Sequence, residues 1–456
     1  MATPKEWFSG ETNALLRQEF GEVAPLLRFT NETALKGEKD MIDVKKELLE
    51  RFLRYAAITS QSDPKVAEVP STPGQRTLAK LLADELRDLG LENVEISEFA
   101  VVTAHLPSNL PAGAKAPKVG WCAHMDTVDA GLSPEIHPWV LHNYQGGDIQ
   151  LNKEKDLWLR TREHPEVERY KGDDLVLSDG TSVLGADNKS AVANIMTALH
   201  VITEEKRPHG DIWIAFVPDE EIGLKGAKKI DFTKFPVDFA YTIDSCELGE
   251  IVWRTFNAGS AKLEIQGVTA HPMSSKGVLV NPILVAHDFI NMLDRTQTPE
   301  CTAGTEGFVW VNGIQGGPAR CSVSMKIRDH NLEGYKTKKA LIASAVEYIK
   351  VRHPRAKVTL SFEDTYGNIA DALRPENQSA LELLREAMAF EGVKVLDIAM
   401  RGGTDGSFIS TQGIPTINYF TGAHNFHSAC EFMPMSSWEK SLAVTLRLVA
   451  LTAGQK

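Results

Sequence analysis

The sequence predicts an α/β fold: a mixed, mainly parallel sheet covered by helices on both faces, with a smaller α+β domain inserted into it. Two observations carry this. Buried apolar strands alternate with amphipathic helices from about residue 45 to 255 and again from 370 onward, the pattern of a parallel sheet wrapped by crossover helices. Between them, over 256–369, the strands alternate apolar and polar residues, as half-exposed strands do.

Element by element, "DVKKELLERFLRYAAI" places Leu48, Leu49, Phe52, Leu53 and Ala56 on one side of a helix, and "GQRTLAKLLADELRDLG" is a second helix closed by Gly90. "KVGWCAHMD" reads as a buried strand ending in polar residues. "KSAVANIMTALHVITEE" is a helix, and "GDIWIAFVPDEE" and "FAYTIDS" are two further buried strands. The middle region then runs strand, helix, strand, helix, strand: "SAKLEIQGVTAH", "NPILVAHDFINMLDR", "CSVSMKIRDHN", "YKTKKALIASAVEYIKVRH" and "KVTLSFEDTY". This suggests a small ferredoxin-like sandwich. The helix "SALELLREAMAFEG", the glycine-rich "RGGTDGS", the strand "PTINYF" and a final helix complete the larger fold. The expected division is an N-terminal extension at 1–44, a first catalytic part at 45–255, an inserted domain at 256–369 and a second catalytic part at 370–456.

Composition excludes several classes of function. With a formal net charge of -12 and no basic cluster, the 456-residue chain is no nucleic-acid binder. No apolar stretch is long enough to span a bilayer, and "MATPKEWFSGETNALLRQEF" lacks the apolar segment of a secretory signal. The expected place is the cytoplasm, without a membrane partner. The five cysteines are scattered and form no CxxC pair, so neither a disulfide framework nor a thiolate zinc site is expected, and the thiols should be reduced and mostly buried.

The chemistry lies at strand ends, where sites form in an open α/β sheet. "HMDTV" supplies His124 and Asp126, "GADNKS" supplies Asp187, "PDEEIG" supplies Glu220 and Glu221, "TIDS" supplies Asp244, and "HNFHSACEF" supplies His424 and His427. Imidazoles and carboxylates are the ligands of zinc and related divalent ions. Each cluster alone has an ordinary reading. His124 with Asp126 makes a satisfied buried pair, Asp187 a helix cap, Asp244 a turn residue, and "DEE" a solvated loop. Together they give five strand ends carrying metal-ligand residue types. In "DEE" one acid can bind metal while its neighbour takes a proton from water. Cations would also explain how the acids stay ionised side by side.

In this order and spacing, "HMDTV", "GADNKS", "PDEEIG" and "TIDS" resemble the M20 metallopeptidase family. "PHGDIWIAFVPDEEIG", "VLGADNKSAVANIMTAL", "AHPMSSKGVLVNP", "IRDHN" and "RGGTDGSFIS" resemble its peptidase T, or tripeptide aminopeptidase, branch. The resemblance runs from about residue 45 onward. It implies a zinc-exopeptidase-type catalytic domain, an inserted lid that also serves as a dimerisation surface, and two divalent ions, zinc first, with cobalt or manganese as alternatives. It implies that Asp187 bridges the ions, that His124 and Asp244 hold one and Glu221 and His427 the other. Glu220 is then the general base, and Asp126 holds the His124 ring. His271 of "AHPMSSKG" would help stabilise the oxyanion, and Asn281, Arg328 and Arg401 would contact a short peptide, a guanidinium gripping its carboxylate.

The chain departs from that branch at Asn188, where an aspartate is typical, at "SCELGE" after Asp244, at His424, which competes with His427 for the last ligand position, and at its N-terminal extension. The implied activity is release of the N-terminal residue from tripeptides. Other M20 activities, namely dipeptidase, carboxypeptidase or N-acyl-amino-acid deacylase, and a non-catalytic peptide-binding role are the alternatives.

Overall fold

The central sheet has eight strands, in the order Glu92–Ile96, Val102–Leu106, Ile212–Val217, Val119–His124, Phe239–Ser245, Thr416–Phe420, Glu250–Arg254 and Leu396–Ala399. The computed structural model describes residues 42–455, so the predicted extension lies outside the described residues except for its last three positions. The middle four strands run parallel to one another. Val119–His124 is buried at every position and Ile212–Val217 at all but one, because helices cover both faces and leave no solvated side for polar residues to occupy. After Ile212–Val217 the chain crosses over Val119–His124 to add Phe239–Ser245 on its other side. That reversal opens a crevice at the carboxyl ends of these strands.

The helix Ala186–Glu204 is buried along almost its whole length, and its interior Asn194 is satisfied by the hydroxyls of Ser441 and Thr445 at 3.0 and 2.9 Å, as a buried polar group must be. It packs against Val44–Ala56 and Met435–Thr452, and the Trp438 indole donates to Ser190 O at 3.2 Å. Val44–Ala56 begins at Asp43, whose carboxylate accepts Lys46 N at 3.1 Å, an N-cap that satisfies one of the free amides of the first turn. A buried ion network joins this helix to its neighbours. Arg51 reaches Glu47 at 2.8 Å and Glu85 at 2.6 Å, the Tyr55 hydroxyl donates to Glu85 at 2.6 Å, and His200 meets Glu47 at 2.8 Å.

Residues 257–366 build a second sheet in the order Phe308–Gly316, Arg320–Asp329, Asn257–Gln266, Lys357–Tyr366, antiparallel throughout. The helices Pro282–Ile290 and Leu332–Arg352 complete a βαββαβ unit around a core that includes Leu263, Phe289, Val323, Ile327 and Ile349. Sequence reading missed the strand Phe308–Gly316. It is an edge strand interrupted by Gly313, and glycine and asparagine are weak strand formers.

The chain passes between the layers twice, near Thr255–Asn257 and near Gly367–Ile369. Polar side chains stitch the two crossings together. Asn368 Oδ1 accepts Thr255 N at 2.9 Å, Thr255 Oγ1 accepts Ile369 N at 3.1 Å, and Asn368 Nδ2 donates to His330 O at 2.8 Å. None of the described helices is long and apolar enough to cross a membrane. All five cysteines are free, but only Cys122 and Cys321 are buried; Cys301 is exposed, so the expectation of mostly buried thiols is corrected.

Removing the guanidinium at residue 51 takes one partner from each of two largely buried acids, leaving Glu47 with His200 and Glu85 with Arg54 and Tyr55, and weakening a buried pair from one side is destabilising. Arg51→Ala is expected to lower unfolding free energy by about 3–5 kcal/mol, read from urea denaturation at neutral pH. Burial pushes Glu47 up, but His200 and Arg51 outweigh it and hold its pKa below the ordinary 4.5. Its share of the stability is therefore complete above pH 4.5 and lost as pH falls through the lowered value.

Candidate active site

Three neighbouring parallel strands deliver side chains to the crevice. His124 ends the first, Asp219, Glu220 and Glu221 follow Val217 of the second, and Asp244 lies near the end of the third. Asp187 sits in the first turn of the helix Ala186–Glu204. Its entry is Gly185, at φ 72°, where an added Cβ would lie 2.9 Å from Ile136 Cδ1. Only glycine meets both demands without strain. His427, at φ 61°, is carried by the loop between His424 and Phe432.

These side chains converge. His124 Nε2 lies 3.0 Å from Asp187 Oδ1 and 3.6 Å from Asp244 Oδ1, while His427 Nε2 lies 3.0 Å from both Asp187 Oδ2 and Glu221 Oε1. The ligand atoms of His124, Asp187 and Asp244 fall within 4.8 Å of one another, as do those of Asp187, Glu221 and His427, and those of His124, Glu220 and Glu221. The first two groups share Asp187. Asp187 Oδ1 and Glu221 Oε1 are buried and accept no hydrogen bond. Two buried acceptors left over, facing imidazole nitrogens and hard carboxylate oxygens, are what a divalent cation of the zinc, cobalt or manganese kind would satisfy. The residues present therefore fit such a metal.

Among the protein groups alone the acids press on one another. Burial, and then the charge of Asp187, push Glu221 up to about 7 and Asp244 up to about 6. Burial also raises Glu220 well above the ordinary range, with Asp244 and Asp405 adding to it and His124 opposing. Asp187 goes the other way. Burial would raise it, but the imidazoles of His124 and His427 beside it hold it well down.

The three consecutive acids have three different surroundings. Asp219 takes φ 55° and turns away from the cluster. Its carboxylate accepts Ser71 N at 2.7 Å, Ser71 Oγ at 2.5 Å and Gln75 Nε2 at 2.7 Å. Glu220 and Glu221 face the cluster. Asp126, fully buried, accepts Glu220 N at 3.0 Å and Glu221 N at 3.2 Å and stands 3.4 Å from His124 Nδ1. It thus holds the acidic loop as well as the ring, and the Nδ1 atom lies closer, 3.1 Å, to Asp126 O.

His424 is not placed as a ligand. It is 2% exposed, its Nε2 lies 2.6 Å from the Tyr170 hydroxyl, its ring stacks on Phe432 at 4.8 Å, and burial lowers its pKa to about 4. Its backbone closes the loop, exchanging bonds with Phe432 at 2.9 and 3.2 Å. Asn188 is buried behind Asp187 across a cis peptide, with its Oδ1 unpartnered. Ser245 Oγ and Cys246 N both donate to Glu250, at 2.6 and 2.9 Å.

The expected substrate contacts are not gathered at the cluster. His271 is exposed on the 257–366 layer and accepts Met273 N at 3.2 Å. Asn281 caps the helix Pro282–Ile290 through Ile283 N at 3.0 Å. Arg401 spends its guanidinium on Gly304 O, Glu306 O and Thr302 Oγ1, at 3.1, 2.9 and 2.8 Å, and lies over the rings of Phe256 and Phe308. Arg328 lies on the strand Arg320–Asp329. It donates to Gly259 O and Ile327 O and lies over Tyr366, whose phenol feels both Arg328 and Glu220. The Tyr366 ring occupies the space above Gly403, where a Cβ would sit 2.4 Å from it.

Sequence reading missed two buried acids beside the cluster. Asp405 of "RGGTDGS" is 2% exposed with an unpartnered Oδ1. Burial pushes it up to about 8, with His124 opposing and Asp244 adding. Glu431 is 1% exposed and accepts Leu184 N, Gly185 N and Asp187 N at 2.7, 2.9 and 3.0 Å. The one signal for Glu431 was an acid set in the apolar run "ACEFM".

The family described as Peptidase family M20/M25/M40 matches residues 185–451. The "Peptidase T-like protein" of Rhizobium meliloti is 50% identical over 410 residues, covering 90% of this chain and 99% of that protein. The "Peptidase T" of Caldanaerobacter subterraneus is 41% identical over 406 residues, covering 89% and 98%. A solved structure of a tripeptidase from Staphylococcus aureus shares the fold, with a TM-score of 0.70 at 24% identity, covering 91% of this chain and 100% of that one. The motifs, the sheet and these relatives agree: the chain belongs to the M20 peptidase family, on its peptidase T branch.

Proposed function

We propose that the chain is a dinuclear-metal aminopeptidase that releases the N-terminal residue of short peptides, tripeptides foremost. The observation that supports this most is the pair of candidate ligand groups sharing Asp187, with the half-buried acid Glu220 at their side and adjacent in sequence to Glu221. His124 and Asp244 would hold one ion, Glu221 and His427 the other, and Asp187 both. Zinc is the first choice for such a nitrogen and oxygen donor set. When bound, the ions would supply Lewis acidity toward the peptide carbonyl and favour ionisation of water.

The chain's own residues do the rest. Glu220 takes the proton from the attacking water and returns it to the leaving amine. Its burial favours holding that proton between the two events. Asp126 fixes the backbone of Glu220 and so the reach of the base. Arg328, lying over the Tyr366 ring, meets the peptide's carboxylate. Residues 256–369 act as the lid. His271 stabilises the oxyanion only when that layer closes or a second copy of the chain supplies the ring. The relatives named peptidase T, with the solved tripeptidase and aminopeptidase of the same fold, support the choice of a free-amine tripeptide as substrate.

Two outcomes are expected. Chelator abolishes tripeptide hydrolysis and zinc, cobalt or manganese restores it, while N-acetylated tripeptides remain uncut; hydrolysis indifferent to chelator, or cleavage only of acylated ends, removes the reading. Glu220→Gln lowers kcat by about 10²–10⁴-fold, with metal content by elemental analysis unchanged. Turnover at the wild-type rate would move the base elsewhere.

A further inference from the structure

We infer that Glu431 is a positioning residue: it sets Asp187 in place before any cation arrives and thereby governs how tightly the cluster holds metal. The inference rests on the reading of that cluster as a cation site and goes beyond it to a residue that touches neither cation nor peptide. Three backbone N–H groups converge on one buried carboxylate. Leu184 N and Gly185 N meet Oε2 at 2.7 and 2.9 Å, and Asp187 N meets Oε1 at 3.0 Å. These amides belong to the turn that enters the helix Ala186–Glu204, where the first amides have no partner within the helix.

The placement is not incidental to the site. Glu431 directly precedes the strand Phe432–Pro434, which pairs with Leu175–Ser178, the strand whose outgoing loop becomes the Asp187 turn. The same loop, closed by the His424 and Phe432 backbone bonds, presents His427 to Asp187 and Glu221. One loop therefore contributes a ligand through its imidazole and orients the shared ligand through its carboxylate. A glutamine would keep the size of Glu431. It would, however, offer one oxygen for three donors and turn an NH2 group toward the remaining N–H.

The test is zinc affinity of the full chain, measured by competition with a chromophoric chelator, beside the melting temperature of the metal-free protein. This readout does not depend on turnover, so failure of the aminopeptidase reading and failure of this inference are separable. Glu431→Gln is expected to bind zinc about 10–100-fold more weakly, with the metal-free melting temperature close to wild type. An affinity within about twofold of wild type, judged against the same range, overturns the inference. Should the variant not fold, hydrogen exchange on the wild type decides. The amides of Leu184, Gly185 and Asp187 are expected to be protected already in the metal-free protein. Rapid exchange there, slowed only when zinc is added, would show that the metal rather than Glu431 orders the turn.

Discussion

Everything in the crevice answers to mutual repulsion among buried carboxylates. Two like charges about 4 Å apart repel by about 4 kcal/mol at an effective dielectric of 20. A neutral hydrogen bond returns a net of only about 1 kcal/mol. Asp187, Glu220, Glu221, Asp244 and Asp405 are all buried or nearly so, with two imidazoles as their nearest positive partners. Four of the five are driven toward the protonated state, and Asp187 alone, held between His124 and His427, is driven the other way. An arrangement so unfavourable without added positive charge is the physical mark of a cation site.

What keeps the acids from turning aside is a set of acceptors aimed at the backbone. Asp126 grips the amides of Glu220 and Glu221, Glu431 grips those of Leu184, Gly185 and Asp187, and Asn418 Oδ1 accepts Asp244 N at 2.8 Å. The turns that carry Glu220 and Glu221, Asp187, and Asp244 are each pinned from behind by a side chain from elsewhere in the chain. The sheet makes this practical. The parallel strands end side by side, so loops far apart in sequence begin within reach of one another.

Much of this was legible in the sequence, and the limits have physical reasons. The buried strands and long helices announce themselves through period and apolarity, and the residues of the cluster stand at strand ends, where chemistry is expected. Phe308–Gly316 was missed because an edge strand buries little and so carries little pattern. The three-stranded sheet Pro138–Leu141, Leu175–Ser178 and Phe432–Pro434 was missed because its pieces are short and lie far apart along the chain. Glu431 and Asp405 escaped because a buried acid bonded to backbone, or to nothing, looks in sequence like any other acid. His424 and His427 were inseparable as letters. Only the fold puts one against Tyr170 and Phe432 and the other against Asp187.

The stitched crossings between the two layers have a mechanical consequence. Two adjacent tethers, joined by Thr255, Asn257 and Asn368, permit turning about the line between them and resist sliding, which would tear several amide contacts at once. Arg401 adds an attachment beside the first crossing: its guanidinium lies over Phe256 and fastens the 302–306 segment. Swinging the smaller layer outward therefore loads this arginine together with the crossing it stacks on.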